Sequence, residues 1–104
     1  MKKADQLEMN RLVDEVYEDV IKSLDNYGMQ YQGKLRSCSA DVWRTYGYYV
    51  LRSYTTIIAC VDNEGVCYDF LRKVYGYTAT SALHIAKFRN DYAYSGKCFT
   101  WRDI

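Results

Sequence analysis

No proline occurs anywhere in the chain. That excludes a Pro-rich linker and a polyproline-type ligand segment. Long apolar runs are missing as well, so no segment is expected to span a membrane. Lys2 and Lys3 have no apolar stretch behind them, so no secretory signal is expected, and the cytoplasm is the expected compartment. The four cysteines, Cys38, Cys60, Cys67 and Cys98, contain no C-x-x-C pair, and His84 is the single histidine. Such scattered thiols with one imidazole do not make a zinc set, so no metal site is expected. In a reducing compartment these cysteines should behave as small buried hydrophobes. No G-x-S-x-G, Walker or H-E-x-x-H pattern and no paired carboxylates are found, and Asp69 and Asp91 stand alone. Neither catalysis nor a cofactor is therefore expected.

What is present is a chain of 104 residues, the size of one domain, with an ordinary hydrophobic content of 49%. A packed core can form. Twelve tyrosines, three phenylalanines and two tryptophans make it unusually aromatic. Tyrosine buries a large ring while its hydroxyl seeks a partner, which suits half-buried strands and interfaces alike. The net charge of +1 conceals an asymmetry. Residues 1–27 hold seven acids against four bases, and the remainder holds ten bases against six acids. Such separation can steer a partner, or can be satisfied within the molecule or across a dimer.

Leu12, Val13, Val16, Val20 and Leu24, flanked by Tyr17 and Ile21, recur at helical spacing and predict a helix up to Gly28. Asp5 and Glu8 have the spacing of a capping box, and Gly28 sits where a C-terminal glycine belongs. Asp14, Glu18 and Asp25 are assigned to the wet face. Residues 29–41 lack a clear period and read as a connection with one short strand around Lys34 to Cys38. From Val42 the texture turns to β, interrupted at Gly47, with a bend near Ser53 to Thr55. Asp62-Asn63-Glu64-Gly65 predicts a type I turn with Gly65 left-handed, a register in which Cys60 and Cys67 can lie close. A second helix is predicted over Thr80 to Tyr92, with Ile85, Phe88 and Tyr92 facing the core. "SGKCFTWRD" reads as a last short strand. The expectation is a single α+β domain over residues 1–104. It has an acidic helix over 1–28 and a core over 42–104, in which a meander of three to four antiparallel strands is followed by a helix and a C-terminal strand.

In "VYGYTATSALHIAKF", Thr78, Thr80 or Ser81 can each cap the second helix, which accounts for the polar residues without a ligand. The alternative is an anion site at the helix N-terminus, aided by Arg72 and Lys73. A single glycine, Gly76, is less than a phosphate loop requires. His84 reads as a surface or packing residue.

"LRSYTTIIACVD" and "CYDFLRKVYGYTATSALHIAKFRNDY" together resemble a group of small accessory proteins carried by phages and mobile elements of Gram-positive bacteria. Ser53, Tyr54, Thr56, Tyr75 to Ser81, His84, Ile85, Lys87 and Phe88 carry the resemblance, which spans Leu51 to Tyr92. It implies a bacterial host cell and an accessory role such as inhibition of a host defence, with a CRISPR effector or another defence nuclease as target. On that basis the first functional expectation is a non-enzymatic protein-binding inhibitor. Asp14, Glu15, Glu18 and Asp19 would present spaced negative charge, and Tyr75 and Tyr77 contact area. A solvated helix face is the default account of those four acids. The second expectation is a nucleic-acid-binding module. Arg36, Arg44, Arg52, Arg72 and Lys73 are interleaved with Trp43, Tyr46, Tyr48 and Tyr54. Arg44, Tyr46, Tyr48, Arg52 and Tyr54 would share one strand face if Gly47 adds no bulge. The near-neutral total charge is low for such a binder. An enzyme acting on a nucleotide signal is a third reading, resting on the helix N-terminus and His84. A homodimer is compatible with so aromatic a chain, although no heptad seam demands one.

Overall fold

The computed structural model describes residues 2–35 and 39–104. Arg36 and Cys38, and most of the short strand expected around Lys34 to Cys38, lie outside the described residues.

The apolar periodicity of the N-terminal segment becomes α1, Lys3–Tyr27. Val13 and Val20 are fully buried, with Met9, Val16, Tyr17 and Leu24 packed beside them. Leu12 points outward. The Asp5–Glu8 capping box does not form: the helix begins at Lys3 without a side-chain cap, and Glu8 pairs with Arg11 one turn on. Gly28 ends the helix as expected, at φ +70° with its N–H donating to the Leu24 carbonyl. Asp14 also departs from the expected wet face, because its carboxylate lies 2.7 Å from Lys73 Nζ.

A six-stranded sheet follows, in the order β1-β2-β3-β4-β5-β6. The strands are β1 (Gln30–Lys34), β2 (Ala40–Thr45), β3 (Tyr48–Ser53), β4 (Thr56–Asp62), β5 (Cys67–Asp69) and β6 (Cys98–Thr100). All neighbours are antiparallel except β5 and β6, which run parallel. Between β5 and β6 the chain makes one turn of helix, α2 (Leu71–Val74), and then α3 (Ala79–Tyr92). The α+β architecture expected from the sequence is what forms, with β1 added at one edge. No helix among the described residues is long and apolar enough to cross a membrane.

Both faces of the sheet are covered, which is why its central strands read as near-continuous apolar runs. Val50, Cys60 and Tyr68 face α1 and pack on Val13, Val20 and Phe70. Val42, Leu51, Ala59, Val61 and Cys67 face the other way, onto Ile85 and Phe88 of α3. A β-bulge between Leu51 and Arg52 and their β4 partners sets Ile58 on this second side as well. α1 is tied to the end of the chain by two buried amides. Gln6 Nε2 donates to Asn10 Oδ1 at 2.7 Å and to the Thr100 carbonyl at 3.1 Å. Asn10 donates to the Arg102 carbonyl and accepts from the Arg102 N–H. One side chain thus satisfies both backbone groups of Arg102, as a neighbouring strand would.

The expected hairpin is present. Gly65 has φ +76°, its N–H donates to the Asp62 carbonyl, and Asp62 Oδ1 accepts from the N–H groups of Glu64 and Val66. The hairpin does not bring Cys60 and Cys67 together, as its turn alone would have allowed. Val61 pairs with Cys67 and Cys60 with Tyr68, so the two thiols point to opposite faces. The neighbour of Cys67 is Cys98, directly across the parallel β5–β6 pair.

Candidate binding cleft

Two turns set up a hydroxyl-lined cleft. β3 and β4 are joined by Tyr54 and Thr55 between the paired residues Ser53 and Thr56. Tyr54 sits at φ +55°, in the left-handed region that bulky side chains seldom adopt. Residues held there cost on the order of 1–3 kcal/mol and cluster at functional sites. The second turn leads from α2 into α3. Thr78 is the N-cap, its Oγ1 accepting from the Ser81 N–H at 3.1 Å. Between these turns lies a cavity of about 380 Å³ lined by Ser53, Tyr54, Thr55, Thr56, Ile58, Tyr75, Thr78, Thr80 and Ser81. Ser53, Ile58 and Ser81 are its buried floor, while the Tyr54 and Tyr75 side chains are exposed at the rim. Ser53, Tyr54 and Thr56 from one segment quoted above, and Tyr75, Thr78, Thr80 and Ser81 from the other, therefore meet at one place. Tyr77 is exposed too, with the Arg72 guanidinium 4.7 Å from its ring centre.

A second groove, of about 510 Å³, runs along the other end of β3. Asp19, Lys22 and Tyr27 of α1 line it together with Tyr46, Tyr48, Asp62 and Glu64. The Tyr48 hydroxyl donates to Asp19 Oδ2 at 2.5 Å, and Tyr27 and Tyr46 stack at 5.0 Å. Burial, and then the Asp19 carboxylate, push the Tyr48 hydroxyl well above the usual phenol range.

The acidic set expected to bind a protein is thus split. Asp14 is held by Lys73 and Asp19 by Tyr48, whereas Glu15 and Glu18 are exposed. Tyr75 reaches solvent at the cleft, and Tyr77 is exposed but is not among the lining residues.

The set expected to bind nucleic acid does not share a face. Tyr46 and Gly47 form a turn between β2 and β3 rather than continuing one strand. Arg44 lies on the α3 side, 4.4 Å from the ring centre of Tyr49, which packs on Tyr92. Arg52 lies on the α1 side, over Trp43 and bonded to Asp41 at 3.2 Å. Tyr48 is on the α1 side, and Tyr46 and Tyr54 stand at opposite ends of β3. The turn at Gly47 is the physical reason, because reversing the chain breaks the parity that a single strand would have kept.

His84 is buried on the inner side of α3, a packing rather than a surface position. Sequence reasoning missed Ser53 and Ser81 as a pair, since they are brought together only by the fold.

The Cys67–Cys98 pair polarises its two sulfurs in opposite directions. The Cys67 thiol, bonded to Cys98 and buried, is pushed up, while Cys98, accepting that bond and half-exposed, is lowered. Thiolate fraction and access govern alkylation. Among Cys60, Cys67 and Cys98, iodoacetamide should therefore modify Cys98 first, read by peptide mass spectrometry. Faster labelling of Cys60, which is fully buried and also raised, would contradict this packing.

These features define a small α+β domain with a tyrosine-rimmed cleft at one end of its sheet. The chain belongs to a family of unknown function, DUF8033, whose model matches residues 23–103. The match begins in the last turns of α1 and includes every residue that lines the cleft. Comparison with curated proteins and with solved structures gives no match.

Proposed function

We propose that the protein is a non-enzymatic binding module that captures a partner protein through Tyr54, Tyr75 and Tyr77. The observation that carries this reading is the placing of two tyrosines, Tyr54 and Tyr75, 75% and 67% exposed, on one concave site, with Tyr77, 57% exposed, adjoining the lining residue Thr78 in the chain. Rings left in water at a rim gain most when a partner covers them, and tyrosine is enriched among residues that dominate interfaces. Tyr54 is moreover presented from a backbone conformation that disfavours its ring. The resemblance described above supplies the kind of partner: a host protein inside a bacterial cell, with a defence nuclease as the target class. Glu15 and Glu18 can add charge complementarity toward a basic surface. Mimicry of phosphates by all four α1 acids would require breaking the Asp14–Lys73 and Asp19–Tyr48 contacts first.

The nucleic-acid reading has less support. Arg44 and Arg52 are occupied within the molecule, and the groove holding Tyr46 and Tyr48 also carries Asp19, Asp62 and Glu64. Carboxylates there repel a phosphate backbone.

A tagged pull-down from a bacterial lysate, with and without nuclease, tests the proposal. One stoichiometric protein should be retained after nuclease treatment. The Tyr75→Ala/Tyr77→Ala double variant should lose it, each tyrosine contributing about 2 kcal/mol, or roughly 30-fold in affinity. Retention that vanishes with nuclease, or that is unchanged in the double variant, would overturn the reading.

A further inference from the structure

We infer that Cys67 and Cys98 form a site of reversible oxidation, at which a hydroperoxide converts the thiol pair into a disulfide joining β5 to β6. This goes beyond the partner-protein reading and does not depend on it. The geometry comes from the parallel pairing of the two strands, in which Cys67 stands directly across from Cys98. Both side chains lie on the α3 side of the sheet, Cys67 within the core and Cys98 packed against it. Neighbouring strands run about 4.7–4.9 Å apart, inside the span of roughly 4.4–6.8 Å found between the Cα atoms of a disulfide. The strands therefore need not move for the bridge to form. The two sulfurs are already in contact, since the Cys67 thiol is hydrogen-bonded to Cys98. Cys60 has no such neighbour across its own strand pair, where it stands opposite Tyr68.

The surroundings divide the labour between the two thiols. Cys98 belongs to the edge strand of the sheet and is half-buried, so a small oxidant can reach it. The bond from Cys67 holds the Cys98 thiol below its ordinary range, helped by the Arg89 guanidinium and the Thr100 hydroxyl against burial and the Asp69 carboxylate. The thiolate is the form that attacks, so Cys98 is the sulfur that reacts first. Cys67 is fully buried and its thiol is pushed up, which keeps it protonated until its neighbour has been oxidised. A low-pKa accessible cysteine beside a resolving one is the arrangement that redox-sensing thiols share. In a reducing compartment the dithiol is the resting form and the disulfide is transient.

The chemistry proceeds in two displacements. The Cys98 thiolate attacks one oxygen of hydrogen peroxide, the O–O bond breaks, and a sulfenic acid forms as hydroxide leaves. The Cys67 sulfur then attacks the Cys98 sulfur, the S–O bond breaks, and the S–S bond forms as a second hydroxide leaves. The two thiol protons convert both hydroxides to water. Two electrons pass from the sulfurs to the peroxide, and two thiols with one peroxide give one disulfide and two waters. The bridge closes a ring of chain that contains α2 and α3, and with them the cleft residues Tyr75, Thr78, Thr80 and Ser81. Oxidation thus restrains one wall of the cleft.

The test treats the reduced full chain with a slight excess of hydrogen peroxide, blocks remaining thiols with iodoacetamide, and maps the peptides by mass spectrometry. Cleavage after Glu64 separates Cys60 from Cys67. A cross-linked pair joining Cys67 to Cys98 should appear, and dithiothreitol should remove it, while Cys60 stays reduced. In Cys67→Ala the reaction should stop at a Cys98 sulfenic acid that dimedone labels, and in Cys98→Ser Cys67 should remain a free thiol. The wild-type map decides the matter even if a variant folds poorly. The oxidised chain should also unfold at a higher urea concentration than its reduced form, because the bridge constrains the unfolded chain. Bridges mainly to Cys38 or Cys60 or between chains, dimedone on Cys67 instead of Cys98, both thiols unchanged by peroxide, or an equal or lower urea midpoint would overturn the inference.

Discussion

Replacing Phe70 with alanine is expected to lower the free energy of unfolding by about 3–5 kcal/mol. Its ring is completely buried between α1 and the sheet, edge-on to Tyr17 at 5.0 Å. The backbone of Phe70 would survive the substitution. Its N–H bonds to the Ile58 carbonyl at 2.9 Å, and its own carbonyl accepts from Lys73 and Val74. What is lost is the ring, and with it the contact that seats α1 and orients α2. Lys73 follows three residues later and reaches both Asp14 and the Tyr17 ring, so loosening Phe70 loosens a charged tie from α2 to α1. A domain of this size is stable by only about 5–15 kcal/mol, so the variant should lose roughly a fifth or more of that. Urea unfolding followed by circular dichroism would show a lower midpoint with an unchanged slope. A loss below about 1.5 kcal/mol would mean that Tyr17 and its neighbours collapse into the space instead.

The elements that were legible in the sequence are those whose local chemistry is self-sufficient. α1 ends at Gly28, α3 starts after a threonine cap, and Asp62 to Gly65 turn the chain, each because a short segment contains both the signal and its partner. β1 was not legible because it is an edge strand, exposed along almost its whole length. With neither face fully buried, nothing selects alternating residues. Cys60 and Cys67 show a finer limit. The turn between them was readable, but which residues pair across it was not, and one step of register moves a side chain to the other face.

The cleft illustrates the same limit at longer range. "SYTT" and "YGYTATS" each have a local explanation, a bend and a cap. Their meeting depends on β4 returning beside β3 and on Phe70 bonding to Ile58, which no spacing within either segment encodes. Only in that arrangement do Ser53 and Ser81 become buried together, and the exposed Tyr54 and Tyr75 come to line one cavity. Arg44 would share a face with Tyr48 and Arg52 only if one continuous strand ran through Gly47. The turn at Gly47 divides them between two faces.

Gly65→Ala is the second substitution expected to be severe, at about 2–4 kcal/mol, from two causes that can be separated. At φ +76° an L-residue is strained, by about 1–2 kcal/mol for an ordinary side chain. A methyl group added there would also lie 2.6–2.7 Å from Tyr94 ring carbons, too close for any real contact. Tyr94 is not free to turn away without loss. Its hydroxyl donates to the Asn63 carbonyl at 2.6 Å, and the next residue, Ser95, donates through both N–H and Oγ to the Gly65 carbonyl. The segment after α3 therefore clamps the β4–β5 hairpin, and the missing side chain at Gly65 is what lets the ring lie flat on it. A double-mutant cycle resolves the two causes. Against a Tyr94→Ala background the clash is gone, and Gly65→Ala should cost only the backbone share, leaving a coupling of about 1 kcal/mol or more. Equal cost in both backgrounds would show that the ring swings aside freely and that the hairpin tip depends on the left-handed conformation alone.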